Sequence, residues 1–430
     1  MSFEKNFCPS PWLHMRIDNA GRYEYCRWST KKESGKHSGI QKETPITWFQ
    51  HSIKDIRMQM LQGNEIPGCQ DCRLMEKYNK ISGRQKQLLK IGVTVDDFEK
   101  TFLSSSWVAE FKKTYKQQGV TDQYPQDWQI DLGNFCNSAC VFCSPRFSSK
   151  LAVEFKKIGL IDALPPNSWC DDQASLSKFI EILKETPNLT YLHFIGGETL
   201  ITPAFRTILQ ALVDSKTMSN VIIGFTTNLT VWNQEIVDLL CQFKEVNLGA
   251  SIECVHPLND YVRYGSKIDQ VMQTLKRWQE VSVQHQWLMQ LRTTPTVLSI
   301  WHLDTIYDYA IKNNIAVESC NFLDNPSFMR LSVLPREYRQ RVIEKLTHWV
   351  NQFDVDHQSS TVVNIRNPNF ASSQVLQDAY SYINYLNSQT DESHRLPDLV
   401  AYLKLLEKNR QNCVLDYLPE YEELLRSAGY

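Results

Sequence analysis

From about residue 128 to residue 323, short apolar runs alternate with amphipathic stretches, and this alternation leaves the chain few architectures to choose from. The extended candidates are 128–133 (WQIDLG), 189–195 (LTYLHFI), 220–226 (NVIIGFT), 246–252 (VNLGASI), 285–293 (HQWLMQLRT) and 315–323 (IAVESCNFL). Between them, 175–185, 203–214, 231–243 and 267–280 place apolar residues at helical spacing. Parallel neighbours need crossover connections of one hand, so a repeated strand–helix unit predicts an α/β fold. It is either an open doubly wound sheet or a partial barrel. In both, chemistry gathers beyond the C-terminal ends of the strands.

The polar motifs fall where that rule wants them. DLGNFCNSACVFCSPRFSSK (131–150) follows the first strand, GGET (196–199) the second, TTN (226–228) the third and SIEC (251–254) the fourth. Four consecutive strands thus deliver polar or glycine motifs to one rim, which predicts a shared site.

A formal net charge of −2 gives no electrostatic reason to expect nucleic acid or an anionic membrane as partner. The N-terminus lacks the apolar run of a signal peptide and no later run is long enough to span a bilayer, so a cytoplasmic location is expected. Twelve cysteines in such a chain argue for metal ligation or redox chemistry over a disulfide framework. Cys8, Cys26, Cys69 and Cys72 lie early, and Cys136, Cys140 and Cys143 form a triplet. Cys170, Cys241, Cys254, Cys320 and Cys413 stand singly and are expected to be buried free thiols.

Thiolates favour zinc or iron–sulfur clusters. A structural zinc site wants four protein ligands. The triplet has no fourth Cys or His nearby; Cys170 lies beyond a predicted helix. Three thiolates on a four-iron cubane leave one iron open to a substrate or cofactor.

This C-x3-C-x2-C spacing, with the aromatic Phe142 before the last cysteine, resembles the signature of radical S-adenosylmethionine (SAM) enzymes. The resemblance covers about 128–323. It implies a partial (β/α)6 barrel of the TIM type, with a [4Fe–4S] cluster whose open iron binds SAM and reductively cleaves it to a 5′-deoxyadenosyl radical. Gly196, Gly197 and Glu198 resemble the family's GGE segment, whose backbone meets the SAM amino group; Thr199 stands where Pro is common. Ser251, Glu253 and Arg263 resemble a segment that holds the SAM carboxylate and ribose. Thr227 and Asn228 match a strand-ending TN that either shapes the site or caps the next helix.

In the first fifth of the chain, 7–29 reads as an extended alternation folded back at Asn19–Ala20–Gly21, with Cys8 and Cys26 toward its outer ends. Cys69 and Cys72 follow in GCQDCRLME (68–76). Four thiols complete a ligand set for either zinc or a cluster. The arrangement resembles the twitch domain, the short relative of the SPASM domain, which implies an auxiliary [4Fe–4S] cluster; in relatives that domain usually follows the barrel. Trp12, Trp28 and Trp48 are expected to shield this site, and His14 and His37 to lie at the surface.

The expected organisation is a twitch-like domain at 1–85, a helical linker at 86–125, the barrel at 126–325 and a helical region at 326–430. The resemblance implies an oxidoreductase acting on a C–H bond of a peptide or small natural-product precursor, with electron transfer to the auxiliary cluster and flavodoxin or ferredoxin as reductant. A non-oxidative epimerase or rearrangement enzyme is the alternative, and an iron–sulfur electron carrier a more distant one.

Overall fold

The computed structural model describes residues 2–27, 29, 38–215, 220–319, 322–352 and 370–430. One eight-stranded sheet is formed by β1 (His14–Ile17), β2 (Tyr23–Glu24), β3 (Asp127–Asp131), β4 (Tyr191–Ile195), β5 (Ile222–Thr227), β6 (Glu245–Ser251), β7 (Leu288–Thr293) and β8 (Ala316–Ser319). Its order is β2-β1-β3-β4-β5-β6-β7-β8, and from β3 onward every neighbouring pair is parallel. A doubly wound sheet reverses its order at a switch point. From β3 to β8 order in space follows order in the chain, so the singly wound partial barrel is the architecture adopted.

Alternation along each strand sorts the two faces. Trp128, Leu192, Phe194, Ile223, Phe225 and Leu248 are buried beneath the helices. Aromatic rings run through that layer: Phe194 meets Phe205 at 5.1 Å and Phe225 meets Trp278 at 5.6 Å. The opposite face is polar. It carries Arg16, Asp127, Gln129, Asp131, Tyr191, His193, Thr226, Arg292 and Glu318, joined by hydrogen bonds and ion pairs. Gly224 and Gly249 leave room on this face. An added Cβ would lie 2.2 Å from Tyr191 Oη at the first and 2.6 Å from Arg292 Cδ at the second.

The N-terminal hairpin continues the barrel sheet. β1 pairs parallel with β3, His14 opposite Asp127, and antiparallel with β2. The expected extended run is shorter than its pattern suggests: Ser10–Leu13 is helical, with Pro11 in its first turn, where a proline costs no hydrogen bond. His14, expected at the surface, is fully buried, its Nδ1 3.3 Å from Asp127. Trp12 and Trp48 are core, while Trp28, His37 and Cys320 lie outside the described residues. Arg57 ties the segment together with no carboxylate: it donates to the carbonyls of Pro11 (2.9 Å), Gln50 (3.2 Å), Gly119 (3.1 Å) and Phe49.

Two boundaries move for identifiable reasons. The helix Ile268–His285 runs past the expected end at 280 and closes on Gln286 in the left-handed conformation (φ 56°), so β7 starts late. The expected helical region at 326–430 ends in two helices, Leu396–Arg410 and Glu422–Ser427, parted where Gln411 adopts φ 56°. Arg336–Val350 and Phe370–Ser388 precede them.

Candidate functional site

The loop after β3 carries the triplet and is held at both ends. Ser149 Oγ accepts from Cys136 N (3.1 Å), and Ser148 Oγ donates to Ser138 O (2.6 Å) while capping the helix Ser149–Lys157. Gly133 leads into the loop at φ 92°, a conformation that favours glycine. Around the middle cysteine the backbone bonds outward on two sides. Ala139 N and Val141 N donate to Tyr264 O (2.7 Å) and Val262 O (2.9 Å), while Ala139 O and Val141 O accept from Arg410 (2.8 Å) and Tyr402 (2.9 Å). Burial and the neighbouring thiols push Cys136 up to about 11 and Cys143 up to about 12; Cys140 is also raised, by burial first. Without a bound metal these thiols stay protonated at neutral pH, Arg263 notwithstanding; cysteine binds metal as the thiolate.

The downstream motifs close on this loop. Glu198 N donates to Phe135 O at 2.8 Å. A Cβ on Gly197 would fall 2.3 Å from Phe135 O and 2.5 Å from its carbonyl carbon, so the cysteine loop itself passes over that glycine. At Gly196 the nearest atom would be Gly133 O at 3.2 Å. The buried Glu198 carboxylate accepts from Thr227 Oγ1 (2.7 Å), Asn228 N (2.6 Å) and Leu200 N (3.1 Å). Asn228 Nδ2 then donates to Asn137 Oδ1 (2.9 Å) and Ser138 Oγ (3.1 Å) inside the loop. Thr227 and Asn228 therefore brace the cysteine loop; the cap of the next helix is Asn233.

Glu253 and Arg263 form a buried pair at 2.8 Å. Glu253 also accepts from Thr293 Oγ1 (3.0 Å) and Thr294 N (2.8 Å), which satisfies its carboxylate and ties β7 to the rim. Burial works against the Arg263 charge, but Cys140 and Glu253 outweigh it and hold the guanidinium above its ordinary range. Arg263 is thus a cation beside the triplet. Ser251 ends β6 opposite Arg292, and Phe142 packs half-buried against the core.

The second cysteine set converges in space. Cys8, Cys26, Cys69 and Cys72 line one cavity with Tyr25 and Arg84. Burial raises Cys8 well above the ordinary thiol range, and Cys26, Cys69 and Cys72 add to the rise. Burial and Cys72 likewise push Cys69 up to about 11. Neither Trp12 nor Trp48 lines the cavity; Tyr25 and Met60 do. Among the described residues no group of three or more His, Cys, Asp or Glu is set to hold a single metal ion. Four sulfur donors and no imidazole suit either a closed cluster or a tetrahedral ion once they draw in.

Cys170 and Cys254 are buried single thiols as expected, while Cys241 and Cys413 are half-buried. The sequence reading missed Arg410 and Tyr402, which lie far along the chain in a stretch whose pattern says only helix. It also missed His193, Arg292 and Glu318, whose inward direction was signalled only by strand alternation.

No curated protein matches the chain. Solved structures similar to it include Streptococcus suis SuiB bound to S-adenosylmethionine (16% identity, 70% of this chain and 64% of that one, TM-score 0.40). Others are anSMEcpe with bound AdoMet (15%, 52% and 60%, 0.37) and the methyltransferase TsrM of Kitasatospora setae (13%, 46% and 38%, 0.32). The match thus spans just under two thirds of the SuiB chain. Residues 130–295, from within β3 to just past β7, match the family model of the Radical SAM superfamily, and the chain carries a radical SAM domain there.

Proposed function

We propose that this protein is a radical SAM enzyme that modifies a C–H bond of a peptide or small natural-product precursor. The observation that carries the reading is the convergence of Cys136, Cys140 and Cys143 with Gly196–Glu198, Thr227–Asn228 and Glu253–Arg263 at one strand-end rim. A cluster with SAM on its open iron supplies, when bound, an electron that cleaves the sulfonium and releases a 5′-deoxyadenosyl radical. The three cysteines would hold that cluster. Glu198, locked by three donors, fixes the turn that follows the glycines, and Arg263 offers a buried cation to the SAM carboxylate. Ser251, Phe142 and the Gly196–Gly197 backbone stand as further SAM contacts.

Cys8, Cys26, Cys69 and Cys72 supply four thiolates, a closed donor set suited to an auxiliary [4Fe–4S] cluster that accepts an electron and binds no substrate. We read the segment around them as twitch-like. Flavodoxin or ferredoxin is the proposed reductant. The polar face of the barrel, where His193, Thr226, Arg292 and Glu318 are already joined by hydrogen bonds and an ion pair, favours a substrate whose own polar groups can join that network. The test is anaerobic reconstitution with SAM and dithionite. 5′-Deoxyadenosine should form, and replacing any of the three triplet cysteines with Ala should abolish it while the N-terminal iron stays. Undiminished cleavage by the triple variant would overturn the reading.

A further inference from the structure

The C-terminal helix Leu396–Arg410 reaches back across the chain to the middle of the cysteine loop. Arg410, with its side chain 1% exposed, donates to two targets from Nε and Nη2. Its Nε and Nη2 form a fork on Glu154 (2.9 and 2.7 Å), in the helix that follows the triplet, and Nη2 also donates to Ala139 O (2.8 Å). The guanidinium lies 4.3 Å from the Tyr264 ring centroid, one residue beyond Arg263. Eight residues earlier on the helix, Tyr402 Oη donates to Val141 O at 2.9 Å. The two carbonyls flank Cys140. Their amide partners are already bound to Val262 and Tyr264. The strip 139–141 is therefore satisfied on both edges, one by the loop that carries Arg263 and the other by the C-terminal helix. Without Arg410 and Tyr402 its outer carbonyls would lose their donors, and the strip would be free to rotate about one edge.

Resting on the reading of the triplet as a ligand set, we propose that Arg410 and Tyr402 are positioning residues that fix the direction of the Cys140 thiolate, making the C-terminal helix part of the cluster-binding machinery. Arg410 contributes a fork that lysine cannot reproduce, since it spans Glu154 and Ala139 at once. Tyr402 contributes a single hydroxyl on a ring already packed beside Phe155 and Phe328.

The test uses the full chain, reconstituted anaerobically, as wild type, Tyr402→Phe, Arg410→Lys and Leu403→Ala. Leu403 is fully buried on the same helix, so Leu403→Ala loosens its docking without removing a donor to the loop. Three quantities are read: melting temperature, the rate of iron loss to a chelator, and the change in the reduced-cluster EPR spectrum when SAM is added. Only a cluster with an open iron gives that last change. Tyr402→Phe should keep its melting temperature yet lose iron about fivefold faster, the worth of one net hydrogen bond. Arg410→Lys should lose iron faster still, and both should alter the SAM-dependent spectrum. Leu403→Ala should melt lower with an unaltered spectrum. Wild-type iron loss and spectra in both loop variants would overturn the inference, as would the same spectral change in Leu403→Ala. Absence of triplet-dependent iron from the wild type would instead overturn the reading of the triplet, and this inference with it.

Discussion

The two glycines that end β4 predict opposite outcomes for the same small change. Gly197→Ala puts a methyl group 2.3 Å from Phe135 O, 2.5 Å from Phe135 C and 2.7 Å from Asn134 C. All three are backbone atoms of the cysteine loop, so no rotamer change relieves the overlap. The loop must lift, and the 2.8 Å bond from Glu198 N to Phe135 O lifts with it. That hydrogen bond is worth about 1 kcal/mol net, and forced overpacking costs about 1–3 kcal/mol more. The sum is about 2–4 kcal/mol. A chain of 430 residues melting as one unit has an unfolding entropy near 0.9 kcal/mol/K, so the melting temperature should fall by about 2–4 °C. Gly196→Ala brings its methyl no closer than 3.2 Å to Gly133 O and should cost less than about 1 kcal/mol. Because Cys136 directly follows Phe135, the larger effect of Gly197→Ala should fall on cluster loading. Thermal melts of the apo proteins, with iron per chain after reconstitution, separate the two variants. A Gly197→Ala protein that melts and loads iron like wild type would refute the steric reasoning.

Cys69→Ala should lower iron by about four atoms per chain, the content of one cubane, and leave deoxyadenosine formation at least partly intact; stoichiometric zinc in the wild type would exclude the second cluster. His302, buried and stacked at 4.0 Å on His256, is pushed down to about 4 by burial first and that ring second. Its folded pKa lies below its ordinary value of 6.5, so its share of stability is whole above that pH and drains as pH falls toward about 4. Denaturant melts of His302→Asn should therefore show a flatter dependence of stability on pH across that window; an unchanged slope would rule it out. Arg57→Met leaves the carbonyls of Pro11, Phe49, Gln50 and Gly119 without their buried donor, and should cost about 3 kcal/mol or more in equilibrium unfolding. A loss within about 0.5 kcal/mol, the range of an ordinary surface change, would contradict that role.

The barrel was legible because alternation and strand-end motifs are local signals. Each of β3 to β8 lies within its expected run or within a residue or so of it, and the motif residues share one rim. What each motif does was less legible. TN could brace or cap, and the choice turned on Glu198, whose carboxylate reaches thirty residues along the chain to Asn228 N. The resemblance gives Gly197 a backbone contact to SAM, while the neighbour that leaves no space for a side chain there is the chain's own Phe135. His14 followed the ordinary preference of histidine for partial exposure and was misplaced, because only pairing with β3 brings Asp127 beside it. Arg410 and Tyr402 gave no signal, since a donor to a distant carbonyl leaves no trace in a helical pattern.

The parallel pairing of β1 with β3 bears on how such a chain can be built and rearranged. A hairpin alone is marginally stable in water, and this one finds its long neighbour only after Asp127–Asp131 has been synthesised. Helix Gly83–Lys90 adds a second seam: Gly83 and Arg84 face the four-cysteine cavity, while Lys86 and Lys90 pair with Glu318 and Asp127 on the barrel face. Glu318 belongs to the last strand. The earliest-made thiols thus wait on the latest-made strand for their final surroundings, and metal loaded before the sheet closes would meet an open, hydrated pocket. A cut between 85 and 126 would strip β3 of its edge partner and Asp127 of its cations, so the N-terminal segment cannot be moved to another barrel like a bead on a string.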